Sequence, residues 1–144
     1  MDKIRVLLVS DFVLLRSGLR ALLADCTNVQ VVGESAVEGE TARQAQELQP
    51  NVVILGISKD GEDVFKTIKD FGTLAAQIVA VSPNQDSDFV LRLLRAGVHG
   101  CLSNQEAPSE LVRAMDAVAR GEVFLCPSAS KVLLADYRYQ SGMK

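Results

Sequence analysis

Short continuous apolar runs alternate along this chain with longer stretches in which apolar residues recur at helical spacing. Ile4 to Val9 (IRVLLV) is a run broken only by Arg5, and it ends at Ser10-Asp11. From Val13 to Ala24 the period changes: Val13, Leu14, Leu15, Leu19, Leu22 and Leu23 fall on one side of a helix, with Arg16, Ser17 and Arg20 on the other. Val29 to Gly33 predicts a second strand, and Gly39 to Gln49 a helix with Ala42, Ala45 and Leu48 as its narrow stripe, closed by Pro50. Val52 to Leu55, apolar and β-branched, predicts a strand covered on both faces, with Gly56 at its end.

The pattern continues in the second half. Asp63 to Phe71 predicts a helix with Phe65 and Ile68 inward, ending at Gly72. Gln77 to Val81 is a strand broken by Ser82-Pro83-Asn84. Ser87 is the expected N-cap of a helix that buries Phe89, Val90, Leu93 and Leu94 and stops at Gly97. Gly100 to Leu102 is a fifth strand. Pro108 opens a helix whose stripe is Leu111, Ala114, Met115 and Val118, ending at Gly121. Val123 to Leu125 is a small apolar piece, and Pro127 to Tyr139 predicts a terminal helix with Val132, Leu133 and Tyr137 on its apolar side. Five strand-helix alternations call for a parallel sheet with helices on both faces. In such sheets reacting groups lie just beyond the carboxyl ends of the strands, which directs attention to Gly56.

Composition narrows the classes. The 144 residues, 48% hydrophobic and 23% charged, suit one globular domain with its own core. A net charge of -3 with scattered basic residues gives no surface for nucleic acid or anionic membrane, so these residues are not expected to bind DNA by themselves. No apolar run approaches the roughly 18–20 residues of a membrane span, and Met1-Asp2-Lys3 leads straight into a strand, so a cytoplasmic protein is expected. Cys26, Cys101 and Cys126 lack metal or disulfide spacing and read as small buried residues.

From Ile4 to about Leu134 the chain resembles the receiver domain of bacterial two-component response regulators, specifically the NarL/FixJ (LuxR-type) subfamily. The stretches IRVLLVSDFVLLRSGLRALL, VVGES, PNVVILGIS, VLRLLRAGVHGCL and APSELVRAMDAVARGEVFLCPS carry the likeness. The resemblance implies a flavodoxin-like (CheY-like) α/β fold: a doubly wound, five-stranded parallel sheet of order 2-1-3-4-5 with a C-terminal linker helix. It implies a receiver-like domain over 1–125, and a linker helix and tail over 126–144 that in the subfamily leads to a helix-turn-helix domain. It also implies phosphotransfer: an aspartate ending strand three as nucleophile, two acidic residues after strand one holding magnesium, a Thr or Ser ending strand four, and a Lys ending strand five.

Carried over position by position, that set is largely replaced. Gly56 stands at the phosphoacceptor position, Ser10-Asp11 at the acidic pair, Ser82 at the Thr/Ser position and Asn104 at the lysine. Asp11 is then the only candidate metal ligand left, and magnesium binding is expected to be weak or lost. Cys101 stands where many receivers place a switch aromatic. The expectation is a degenerate receiver, not an enzyme and without a cofactor, whose Ser10, Asp11, Gly56, Ser82 and Asn104 mark a vestigial pocket.

Alternatives attach to several residues. Ser58 or Asp60, clustered with Lys59 and Asp63 in the loop after Gly56, offers a shifted acceptor, but the likeness puts Asp60 at the family's usual proline, where a solvated carboxylate is the simpler reading. Asp11 either keeps some cation affinity or caps helix one. Ser82 either retains its pocket role or satisfies a loop amide. His99 reads as an exposed loop residue. Arg16, Arg20, Arg113 and Arg120 are solvated faces or parts of a pairing surface. The expected function is phosphorylation-independent signal transduction and transcription regulation through dimerisation or partner binding, with helices one and five or the strand-four to helix-five face as surfaces. DNA is expected to be reached only through a C-terminal domain. A phosphoacceptor using a non-standard residue, or a small-molecule sensor with a ligand in the vacated pocket, is the alternative.

Overall fold

Two strands, β1 (Ile4–Val9) and β3 (Val52–Gly56), form the centre of the sheet because their side chains are apolar on both faces. From Val6 to Val9 and from Val52 to Leu55 no residue is more than 1% exposed. The computed structural model describes residues 3–36, 41–57, 62–72, 74–83, 86–106 and 108–142. The remaining elements are α1 (Val13–Ala24), β2 (Val29–Ser35), α2 (Thr41–Leu48), α3 (Glu62–Phe71), β4 (Gln77–Ser82), α4 (Ser87–Ala96), β5 (Gly100–Ser103), α5 (Pro108–Ala119), β6 (Phe124–Leu125) and α6 (Pro127–Gln140).

All strands pair in parallel, in the order β2-β1-β3-β4-β5-β6. The expected order is present, with one addition: the apolar piece after α5 is a sixth strand, pairing Phe124 with Gly100 and Leu125 with Cys101. The fold is flavodoxin-like, and its strand order reverses between β1 and β3, so the carboxyl ends of these strands border the crevice where such sheets bind or react. At about 1.5–3 kcal/mol for each fully buried Val, Leu or Ile, the central strands hold much of the stability.

Helix ends follow local chemistry. Gly97 closes α4 at a φ of 105°, a left-handed conformation that glycine adopts without a Cβ clash, and its amide reaches back to the Leu93 and Leu94 carbonyls. At the other end of α4 the expectation shifts by one residue: Asp86 precedes the helix, Val90 N–H bonds its carbonyl, and Ser87 is the first helical residue. Phe65 packs edge-on against Phe89 with ring centroids 5.6 Å apart, and the Arg92 guanidinium lies 3.9 Å from the Phe65 ring centre.

Two helix faces depart from the apolar pattern. On α1, Leu19 and Leu23 are buried, but Val13 and Leu14 are 61% and 72% exposed. Of the apolar residues in this first turn, Leu15 alone packs against the core. Arg16, expected on the solvent side, is instead half-buried, and its buried Nε has no hydrogen-bond partner among the described residues. On α6, Ala129 is fully buried and Val132 packs against the core, whereas Leu133 and Tyr137 face solvent. Its inward side rests on α4, β5 and β6, with Arg95 pairing Asp136 at 3.4 Å.

His99 corrects its reading as an exposed residue. It is half-buried, and its Nδ1 accepts a hydrogen bond from Ile78 N–H at 3.0 Å, while its own N–H donates to the Ile78 carbonyl at 2.8 Å. Burial lowers its pKa from the ordinary 6.5. The folded imidazole therefore stays neutral at pH values where the unfolded one takes up a proton. Stability is complete above about 6.5 and falls as pH drops from there through the lower folded-state value. Urea unfolding across this range is expected to show the loss, and His99→Gln to flatten it; an unchanged slope in the variant would assign the pH dependence to other groups.

Candidate functional site

The register of the sheet assembles the site. Val9 pairs with Leu55, so Ser10 and Gly56 follow side by side on adjacent strands. Gly56 pairs with Val81, and Ser82 with Ser103. Two backbone hydrogen bonds lock the line: Ile57 N–H to the Val81 carbonyl at 2.8 Å, and Asn104 N–H to the Ser82 carbonyl at 3.1 Å. Ser10, Gly56, Ser82 and Asn104 thus lie along the carboxyl edge, with Asp11 beside them. Ser10 and Ser82 are 0% exposed, Gly56 is buried, and Asp11 and Asn104 are exposed.

The space around Gly56 is taken. A Cβ added there would sit 2.6 Å from Leu15 Cδ2 and 3.2 Å from both Cβ and Oγ of Ser10. Leu15 comes from the first turns of α1 and lies over the end of β3. Nothing in the sequence spacing identifies this pair, since Leu15 reads as one more member of a helical stripe. Ser10 Oγ accepts the N–H of Phe12 at 3.1 Å, which leads the chain into α1. The N-cap position is Phe12 and its side chain makes no cap bond, so Ser10 Oγ serves as an acceptor at this helix start. Asp11 and Ser82 are each engaged in a further interaction.

Magnesium asks for about six oxygens in near-octahedral array. The donors here do not suit it: Gly56 has no side chain, the Ser10 hydroxyl already accepts an amide, and among the described residues no group of three His, Cys, Asp or Glu could hold a metal ion. Ser58, Asp60 and Lys59 lie outside the described residues, as does the side chain of Asp63.

Cys101 is fully buried, and burial first, then neighbouring Cys126, pushes its thiol up to about 12. It remains protonated and fills space. Among the arginines, Arg20 pairs with Glu34, Arg113 with Glu110 at 2.8 Å, and Arg120 with Glu122 at 3.2 Å. These are exposed pairs of small energetic weight. An apolar cavity of about 520 Å³, lined in part by Leu15 and Asn104, opens between α1 and α5.

The model of the response regulator receiver domain matches residues 6–116. The chain belongs to that family. This receiver domain is 33% identical over 135 residues to the response regulator GacA of Pseudomonas protegens, covering 91% of this chain and 62% of that protein. A LuxR-family two-component response regulator from Aurantimonas superposes with a TM-score of 0.83 at 27% identity, over 94% of this chain and 99% of that one. RcsB, in a structure of two RcsB dimers bound to two parallel DNAs, superposes with a TM-score of 0.76 at 26% identity, over 92% of this chain and 68% of that one. The receiver domain thus spans about 62% of the length of the curated relatives it matches. It is a NarL/LuxR-type receiver of two-component signalling, and no described helix is long and apolar enough to cross a membrane.

Proposed function

We propose that this receiver domain signals through contacts and not through phosphotransfer. The observation that carries the reading is at Gly56: the position that the family gives to the phosphoacceptor has no side chain, and Leu15 lies 2.6 Å from where its Cβ would be. The neighbours support it. Ser10 and Asn104 supply neutral groups where the chemistry calls for a metal ligand and a cation, and Asp11 alone holds magnesium weakly or not at all. Incubation with acetyl phosphate and magnesium, followed by intact-mass measurement, is expected to show no phosphoryl adduct. An adduct would overturn the reading and direct attention to Ser58 or Asp60.

The contact surface we propose is the face of α1 and α5, used for self-association. On the competing side, from β4 to α5, α6 already packs over α4 and β5. On α1 the exposed Phe12, Val13 and Leu14 offer apolar surface with no partner within the described chain. RcsB dimers supply a precedent for pairing in a relative. DNA contact, in this reading, belongs to a C-terminal domain beyond the receiver, and partner occupancy sets the signal by shifting the dimer population. Val13→Asp is expected to shift the protein toward single chains in sedimentation velocity while leaving its circular dichroism unchanged. An acidic residue is favourable in the first turn of a helix, so loss of fold is not the expected cause. Undiminished pairing in this variant would move the interface away from α1.

A further inference from the structure

We propose that a cavity at the amino edge of the sheet binds a small uncharged carboxamide with an apolar body, the His99 ring donating to its carbonyl oxygen. The cavity has a volume of about 390 Å³, within the roughly 300–1,000 Å³ typical of ligand sites. It opens where β4 begins at Gln77 and β5 at Gly100, the end of the sheet opposite Gly56. Ile68 and Phe71 of α3, Leu74 and Ala76 of the turn after it, and Ala96 of α4 supply apolar walls. Ile68 and Phe71 are each 1% exposed, so the core fixes this side of the cavity in advance of any ligand. Gln77 and His99 are the polar side chains of the lining.

Geometry sets the state of the imidazole. Its Nδ1 accepts the Ile78 N–H at 3.0 Å, so the proton of the neutral ring sits on Nε2. The backbone of His99 is held from both sides: its N–H donates to the Ile78 carbonyl at 2.8 Å, and its carbonyl accepts the Phe124 N–H at 3.0 Å. Nε2 has no hydrogen-bond partner among the described residues, and neither has the Gln77 side chain. The cavity thus presents one oriented N–H donor and, from the residue before Ile78, an amide that both donates and accepts.

A carboxamide answers both groups. Its carbonyl oxygen accepts from Nε2–H, and its N–H pairs with the Gln77 carbonyl. Burial lowers the His99 pKa, and the same burial disfavours a charged group on the ligand, which would shed its water here for neutral partners. The site lies away from the carboxyl edge and from the first turn of α1, so the inference rests neither on the loss of phosphotransfer nor on pairing through α1.

His99 is the only histidine of the chain, which makes its ring nitrogens a single-residue probe. The test is a titration of the ¹⁵N-labelled full chain, about one pH unit above the ordinary histidine pKa, with benzamide and with benzoate as its anionic counterpart. Saturable shifts are expected at His99 Nε2 and at the amides of Gly72, Gln77 and Gly97, with benzoate about tenfold weaker or worse. His99→Asn keeps an acceptor for the Ile78 N–H, the oxygen of the shorter amide taking the place of Nδ1, and removes Nε2–H. It is expected to weaken benzamide by about fivefold or more. Ala96 is an exposed helical position where leucine is well tolerated, and Ala96→Leu, which occupies part of the cavity, is expected to weaken benzamide by about tenfold with unchanged circular dichroism. Absence of saturable shifts up to the solubility of benzamide, shifts centred elsewhere, benzoate bound as tightly as benzamide, or undiminished affinity in either variant would overturn the proposal.

Discussion

Gly56→Asp is expected to lower stability by roughly 1–3 kcal/mol and to leave the domain unphosphorylated. The new Cβ meets Leu15 Cδ2 at 2.6 Å and Ser10 at 3.2 Å. Leu15 can yield, because its tip is the end of a flexible side chain with the cavity beside it. Ser10 cannot, because its N–H is bonded to the Ser35 carbonyl at 2.9 Å and its hydroxyl is held by the Phe12 amide. Most of the cost then comes from placing a carboxylate at a buried position where the groups in line with it, Ser10, Ser82 and Asn104, are neutral. The same neutrality withholds reactivity, since an anionic nucleophile must approach an anionic phosphate. Urea unfolding reads the first effect and intact mass after acetyl phosphate the second. Adding Ser10→Asp and Asn104→Lys to Gly56→Asp is expected to restore an adduct that depends on magnesium. An adduct on Gly56→Asp by itself would contradict the roles given to Ser10 and Asn104.

This contrast shows which parts of the molecule can be read from its sequence. The strands were legible because Val52–Leu55 and Val6–Val9 are apolar on both faces, a local property that only a doubly covered strand satisfies. Gly56 was legible from the end of its strand, whereas Ser10, Ser82 and Asn104 were named through the family likeness; the register then sets the four in line, because each follows or ends a strand. What was not legible depends on contacts between distant residues. Phe124 and Leu125 are too few to show a strand pattern, and they become one only because Gly100 and Cys101 present an open edge. Helical spacing marked Val13 and Leu14 as apolar without revealing that both face solvent. The imidazole of His99 finds the Ile78 amide through tertiary packing, and Leu15 finds Gly56 in the same way.

Ending the chain at Leu125, the boundary expected from the family likeness, is expected to cost roughly 2–4 kcal/mol and to promote self-association. The cost follows from what α6 buries. Cys126 and Ala129 are 2% and 0% exposed, and Val132 packs against the core. At about 0.8 kcal/mol for each buried methylene, with partial credit for Val132, these side chains reach that range. The Arg95–Asp136 pair adds little, being largely exposed. The backbone also loses the bond from Cys126 N–H to the Cys101 carbonyl at 3.0 Å, which fastens the end of β6. Set against a typical domain stability of about 5–15 kcal/mol, the shortened chain still folds, with a lower urea midpoint. The surfaces of α4, β5 and β6 on which α6 rests are then uncovered and available for association. A midpoint equal to that of the full chain would mean that residues 126–144 act as an independent linker; a lowered one would mean that the first turns of α6 are part of the receiver, so that any motion of the linker begins beyond Val132.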